Sequence, residues 1–289
     1  MKVLWVLAHP EPRSLTANLR DDGVAALRAG GHQVVQSDLY AMGWNPVVTA
    51  ADFGEPDDGA FEGLPDELPT DRLDVAAASE RALRAGTLAP DIRAEHDKLA
   101  WADTVVLQFP LWWHGPPAIL KGWLDRVLVQ GFAYGVRDPG SGRTLRYGDG
   151  GLAGRRALAV VTVGAGNGVG PRGLHGDLTE VLFGLLHGTF WYTGMRVADP
   201  VLVLGANRMD DGGYAQAART LRARLAGLED GPWVEYRTHE SGDYDRNDEL
   251  RADLAPGRSG LGVHRTDTAV TDTWPSETPA SAAHQVPVR

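Results

Sequence analysis

Apolar residues fall into five short runs separated by stretches with an apolar residue at every third or fourth position. Lys2 to Ala8 (KVLWVLA), Gln33 to Ser37 (QVVQS), Thr104 to Phe109 (TVVLQF), Arg156 to Val163 (RALAVVTV) and Val201 to Leu204 (VLVL) have strand length. The first, third and fourth are nearly continuous, as in strands buried on both faces. Between them, helical spacing predicts elements through Leu15, Leu19, Val24 and Leu27, closed by Gly30-Gly31, and over Val75 to Ala85. Further helices are expected over Pro90 to Ala102 and, after Pro116-Pro117, through Ile119, Leu120, Trp123, Leu124, Val127 and Leu128. Proline suits the first turn of a helix, where its missing N–H is not needed. Gly173 to Tyr192 reads as one amphipathic helix with His175 in its first turn, and Tyr214 to Leu228 as the last helix. Five strands alternating with helices imply an α/β fold, a doubly wound parallel sheet with helices on both faces and right-handed crossovers.

In such a sheet, ligands sit beyond the carboxyl ends of the strands. Three of those ends carry chemistry here. After the first strand come His9 to Thr16, where hydroxyls at a helix N-terminus cap it and free N–H groups bind anions. Ordinary capping by Ser14 or Thr16 is the competing reading. After the third come Pro110, Leu111, Trp112, Trp113 and His114, flat apolar walls with little charge that suit a flat aromatic ligand; the tryptophans would equally serve as caps on the core. After the fourth, Gly164 to Pro171 is glycine-rich, which lets a ligand approach the backbone or simply makes a turn. With strand order 2-1-3-4-5 these ends lie side by side. Their convergence favours a flavin site over three separate structural roles. No GxGxxG follows the first strand, so the usual dinucleotide fingerprint is absent.

Composition narrows the classes. The chain has 289 residues, 43% of them hydrophobic, which suits a globular core. It has no cysteine, which excludes disulfides, thiolate metal sites and cysteine nucleophiles, and no metal site is expected. Its net charge of −10, with no basic block, argues against nucleic acid. No apolar run of ~18 residues spans a membrane, the opening run is too short for a signal peptide, and a cytoplasmic protein is the expectation. Val48 to Arg72 reads as a long loop and Gly135 to Gly154 as an exposed one. The expected division is a catalytic body over 1–230, an irregular C-terminal extension over 231–265 covering the site or a dimer interface, and a flexible tail over 266–289.

The ordered motifs resemble a known family. LAHPEPRSL (Leu7 to Leu15), SDLYAM (Ser37 to Met42), PDI (Pro90 to Ile92), QFPLWWHGPPAILKGWLDRV (Gln108 to Val127), GFAY (Gly131 to Tyr134) and GLHGD (Gly173 to Asp177) are similar to the NAD(P)H:quinone oxidoreductases, flavoenzymes of flavodoxin-like fold. The likeness runs from Val3 to about Leu204, and GLGVH (Gly260 to His264) echoes the family's C-terminal extension. It implies a homodimer holding a flavin, usually FAD with FMN as the alternative, that takes hydride from NADPH or NADH and passes two electrons to a quinone in a ping-pong cycle. His9, Ser14, Leu15 and Thr16 would hold the flavin diphosphate. Leu111, Trp112, Trp113 and His114, following Pro110, would pack on the ring. Thr162, Val163, Gly164 and Ala165 would run under its polar edge, where N–H groups stabilise the reduced, anionic ring. Phe132, Ala133 and Tyr134 would wall the substrate pocket across the dimer, with Trp112 and His175 also facing substrate, and His175 and Tyr134 are the catalytic candidates. One departure stands out: the tyrosine that family members often place six residues before the histidine of GLHGD is Val169 here. The family's second pocket tyrosine is Val136. Competing functions are a reductase of nitro, azo or polycyclic quinone compounds, a flavin-bearing regulatory subunit of a potassium-efflux system, and a plain electron carrier. The insert at Val48 to Arg72 and the aromatic segment after Gly231 argue against the carrier, which needs an exposed flavin edge.

Overall fold

The structure is a computed structural model and describes residues 1–54 and 73–266. Most of the long loop expected over Val48 to Arg72, and nearly all of the tail expected over 266–289, lie outside the described residues. The strands are β1 (Lys2–Leu7), β2 (Gln33–Asp38), β3 (Thr104–Pro110), β4 (Arg156–Val163), β5 (Arg196–Val197) and β6 (Val201–Leu204). All pair in parallel, in the order β2-β1-β3-β4, and β4 then pairs with both β5 and β6. This is the flavodoxin-like order 2-1-3-4-5, with the fifth strand in two pieces. Ala157 faces Val197 while Val160 faces Val201, so three steps along β4 span four along its partner. The extra residue is absorbed at Ala198 to Pro200, where proline cannot donate to the ladder.

Helices α1 (Leu15–Ala29), α2 (Val75–Ala85), α3 (Pro90–Trp101), α4 (Ala118–Val127), α5 (Leu178–Val181), α6 (Phe183–Leu185) and α7 (Asp211–Ala226) supply the crossovers and flanking layers. Successive strand residues point to opposite faces, and the core is accordingly divided in two. Trp5, Val106, Leu158 and Val160 pack under α1 and α7. Leu4, Val6, Val105, Leu107, Ala159 and Val161 pack under α3 and α4 on the other side. Gly23 of α1 is required at its position: a Cβ there would stand 2.4 Å from the Trp5 ring.

Two expectations are corrected. Gly173 to Tyr192 is not one helix. The chain from Gly168 to Gly176 is a compact turn, with the His175 N–H donating to the Gly168 carbonyl (2.8 Å) and the Gly170 N–H to that of Gly176 (2.9 Å). The helix begins at Leu178, capped by the Asp177 carboxylate on the Thr179 N–H. It then passes through α6 into a π-helical stretch, Leu186–Trp191. His175 therefore precedes the helix instead of sitting in its first turn, because Gly176 at φ +74 turns the chain just before the cap. Gly135 to Gly154 is also not a free surface loop: Leu152 is buried and Tyr147 stacks on His187.

The segment after Gly231 rejoins the body. The Val234 N–H donates to the Val197 carbonyl (2.8 Å), the Trp191 Nε1–H to that of Arg237 (3.0 Å), and Tyr236 is buried. No helix among the described residues is long and apolar enough to cross a membrane.

Candidate active site

At the carboxyl edge of the sheet the β1, β3 and β4 loops meet. β1 runs out at Ala8, whose N–H donates to the Gln108 carbonyl (2.9 Å), and the chain turns through His9. The Glu11 N–H donates to His9 Nδ1 (3.0 Å), and burial holds the His9 pKa below its ordinary value against the pull of Glu11. Ser14 caps α1, its hydroxyl accepting from the Ala17 N–H (3.1 Å). Thr16 is not a cap. It is buried within the helix, and its hydroxyl shares a hydrogen bond with that of Thr162 (2.8 Å). The Gln108 side chain donates to the Thr16 carbonyl (2.7 Å) and accepts from Trp5 Nε1 (2.8 Å), so the first turn of α1 is tied to β3 and β4. That turn's first N–H groups have no partner inside the helix and point past its end.

β3 ends at Pro110. The Leu111 N–H donates to the Thr162 carbonyl (2.8 Å), and Trp112 and Gly115 exchange a pair of hydrogen bonds (3.0 Å each) that closes a tight loop. Trp113 and His114, at its tip, both adopt positive φ (+51° and +60°), a conformation disfavoured for such side chains and held by the loop closure. Trp113 is fully exposed and Trp112 nearly half so. The Trp112 ring lies 6.4 Å from that of His9.

These loops enclose two adjoining clefts. One, of about 340 Å³, is lined by His9, Ser14, Leu15, Thr16, Pro110, Leu111, Trp112, Thr162, Gly164, Ala206 and Asn207. The other, of about 310 Å³, is lined by Leu111, Trp113, His114, Val163, Gly164, Ala165, His175, Leu178 and Asn207. Every residue expected to hold the flavin lines one or both. The first cleft pairs hydroxyls with a helix N-terminus and the second pairs apolar walls with two histidines, which fits a group with a phosphate at one end and a flat ring at the other.

Phe132, Ala133 and Tyr134 line neither cleft. Ala133 is fully buried, so its side chain cannot serve as a pocket wall within its own subunit, and Phe132 turns inward to stack on His96 at 3.9 Å between ring centroids. Burial pushes the Tyr134 phenol pKa up. The C-terminal extension also contributes nothing to either cleft among the described residues. Ala206 and Asn207 were missed in the sequence, although Gly205 directly after the strand-like VLVL is the same kind of signal that marked the other strand ends. The described residues hold no cluster of three or more His, Asp or Glu suited to a metal.

Comparison with known proteins defines the class. The family model for the flavodoxin-like fold matches residues 1–225. A ribosyldihydronicotinamide dehydrogenase-like protein of Penicillium crustosum is 38% identical over 280 residues, covering 94% of this chain and 98% of the relative. NAD(P)H dehydrogenase (quinone) 1 of Rattus norvegicus is 36% identical over 226 residues, covering 78% of this chain and 76% of its own length. A crystal structure assigned as a quinone reductase of Klebsiella pneumoniae superimposes with a TM-score of 0.84 at 41% identity, covering 92% of this chain and 99% of the other. The chain belongs to the flavodoxin-like NAD(P)H:quinone oxidoreductase family, and it is an oxidoreductase.

Proposed function

We propose that the protein is a flavin-dependent NAD(P)H:quinone oxidoreductase of the cytoplasm, where its hydride donor is held, with FAD as the first choice of flavin. The observation that carries this reading is the junction of the two clefts, which puts a helix N-terminus and a flat apolar slot end to end. The N-terminal turn of α1, with Ser14, Leu15 and Thr16, would bind the phosphate side through backbone N–H groups. Leu111, Trp112 and Trp113 would orient the ring and exclude water from one face of it. The backbone of Thr162 to Ala165 would aim N–H groups at its polar edge. A flavin bound there supplies acceptance of hydride from NADPH or NADH and its delivery to a second compound.

One open slot serves donor and acceptor in turn, which is the physical basis for a ping-pong cycle. His175, half-buried at the second cleft, would donate a hydrogen bond to an acceptor oxygen without the usual tyrosine beside it. Proximity and orientation then carry most of the rate. Because Phe132 and Tyr134 face neither cleft of their own chain, their part in substrate binding requires a second copy, and we take the working form to be a homodimer.

The test is stopped-flow absorbance of the purified protein mixed first with NADPH or NADH and then with a simple benzoquinone. Rapid bleaching of the flavin band followed by rapid recovery is expected. Bleaching without recovery would remove the quinone as acceptor, and absence of any flavin after reconstitution would end the flavin reading.

A further inference from the structure

The chain has five asparagines, and only Asn167 is followed by glycine. The pair Asn167-Gly168 stands in the turn that leaves β4, two residues beyond Ala165 at the second cleft. Both residues are exposed, so water reaches the Asn167 carboxamide. Asparagine is chemically labile where the next backbone nitrogen can reach its side-chain carbonyl carbon. A glycine there has no Cβ to obstruct that approach and the widest choice of backbone angles for making it. The four other asparagines are followed by leucine, proline, arginine and aspartate, and lack this freedom.

The turn carries any change at this pair to the site. Gly168 takes the left-handed conformation (φ +68°), and its carbonyl accepts the His175 N–H (2.8 Å). A Cβ on Gly168 would lie 3.5 Å from His175 Cδ2, so the imidazole rests against it. Gly173 packs onto the same carbonyl, where a Cβ would stand 2.2 Å from the oxygen. A change in the backbone between Asn167 and Gly168 therefore moves the hydrogen bond that sets His175, a lining residue of the second cleft.

We propose that Asn167 is a deamidation site, a slow covalent switch beside the second cleft. The Gly168 amide nitrogen attacks the Asn167 side-chain carbonyl carbon and closes a succinimide ring. The carbon–nitrogen bond of the carboxamide breaks, and its nitrogen leaves as ammonia with the proton lost from Gly168. Water then opens the ring. Opening at the side-chain carbonyl gives aspartate. Opening at the main-chain carbonyl gives isoaspartate, with an extra methylene in the backbone. Water is consumed, ammonia is released and no electrons are exchanged. Either product puts a negative charge in the turn, and isoaspartate also lengthens the chain at the His175 tether. On the flavin reading above, the adjoining backbone, Thr162 to Ala165, faces the edge of the ring that becomes anionic on reduction. A like charge there disfavours the reduced form. The modification itself does not depend on that reading; its consequence does.

The test ages the purified full chain at mildly alkaline pH and follows it by mass spectrometry of the tryptic peptide from Ala157 to Arg172. That peptide contains no other amide side chain. Conversion of amide to acid at Asn167 is expected to run many-fold faster than at Asn18, Asn207 or Asn247, with isoaspartate in excess of aspartate. Asn167→Gln, which would have to close a larger ring, should block it. Amide loss at Asn167 no faster than at those other asparagines would overturn the proposal. The aged parent and freshly prepared Asn167→Asp should both show a flavin midpoint potential below that of the fresh parent. An unchanged potential in both would overturn the coupling to the site. A protein that binds no flavin would overturn the flavin reading instead, and the mass measurement still decides the fate of Asn167.

Discussion

Two regions of this molecule are built from the same residue types and end in opposite states. At the sheet's carboxyl edge stand Trp112, Trp113, His114 and His175. Where the C-terminal segment meets the body stand Tyr147, Phe183, His187 and Trp191 of the body and Tyr236, Tyr244 and His264 of the segment itself. In the second group the rings satisfy one another. His187 stacks on Phe183 at 4.5 Å, on Tyr147 at 4.9 Å and on His264 at 5.6 Å, and Tyr236 meets it edge-on at 4.9 Å. The Tyr244 hydroxyl bonds His264 Nδ1 at 2.9 Å. In the first group Trp113 is 100% exposed on a positive-φ backbone, and Leu174 nearby in sequence to His175 is 94% exposed. Aromatic and histidine content therefore does not mark a site. What marks it is aromatic surface and polar groups that the fold leaves without partners.

The comparison breaks first in the closed cluster. Tyr236→Ala removes a buried ring that locks the extension onto the π-helical stretch and should cost about 3 kcal/mol. Urea denaturation measures it, and a loss below about 1 kcal/mol would mean that the extension is not anchored there.

Next comes pH. Burial, with His264 adding to it, lowers the His187 pKa to about 4. The unfolded chain then takes up this proton first as pH falls. Stability from the neutral ring is intact above about pH 6.5 and is lost progressively down to about pH 4, by roughly 3 kcal/mol. Below that the curve should be flat for this group. His187→Phe keeps the stacking and should flatten the slope between pH 6.5 and 4, and an unchanged slope would assign it to other groups.

The smallest effect on folding belongs to the open cluster. Trp113→Ala should change stability by no more than ~0.5 kcal/mol, since the ring touches little of its own chain. The same substitution should lower flavin retention several-fold through lost ring packing. A drop in stability with flavin retention intact would reverse the contrast between the two regions.

Much of the site was legible in the chain itself. Buried runs end in His9, in the Trp112-Trp113-His114 loop and in the glycine turn at Gly164, and a parallel sheet must gather such ends at one edge. The less legible parts depend on contacts between distant segments. The leucines of Gly173 to Tyr192 keep helical spacing, yet backbone bonds among Gly168, Gly170, Gly173 and Gly176 fold its first part into a turn. Phe132 and Ala133 sit in a motif that reads as pocket wall, but His96 and the core take them in. Asn207 is one polar residue in an ordinary turn, and only the return of that turn over Gly164 gives it a place.

The sequence alone marked the strand-length runs and the three decorated ends, because periodicity and residue size act over a few neighbouring positions, while the order of the strands followed from the resemblance and the split of the last one was seen only in the structure. Tertiary structure decided which rings close on one another and which stay open. It also decided where the extension docks and that Asn207 returns over Gly164 to line both clefts. Those outcomes turn on burial, and burial is set by contacts between segments far beyond the reach of local periodicity, as with His187 against His264 or Trp191 against Arg237.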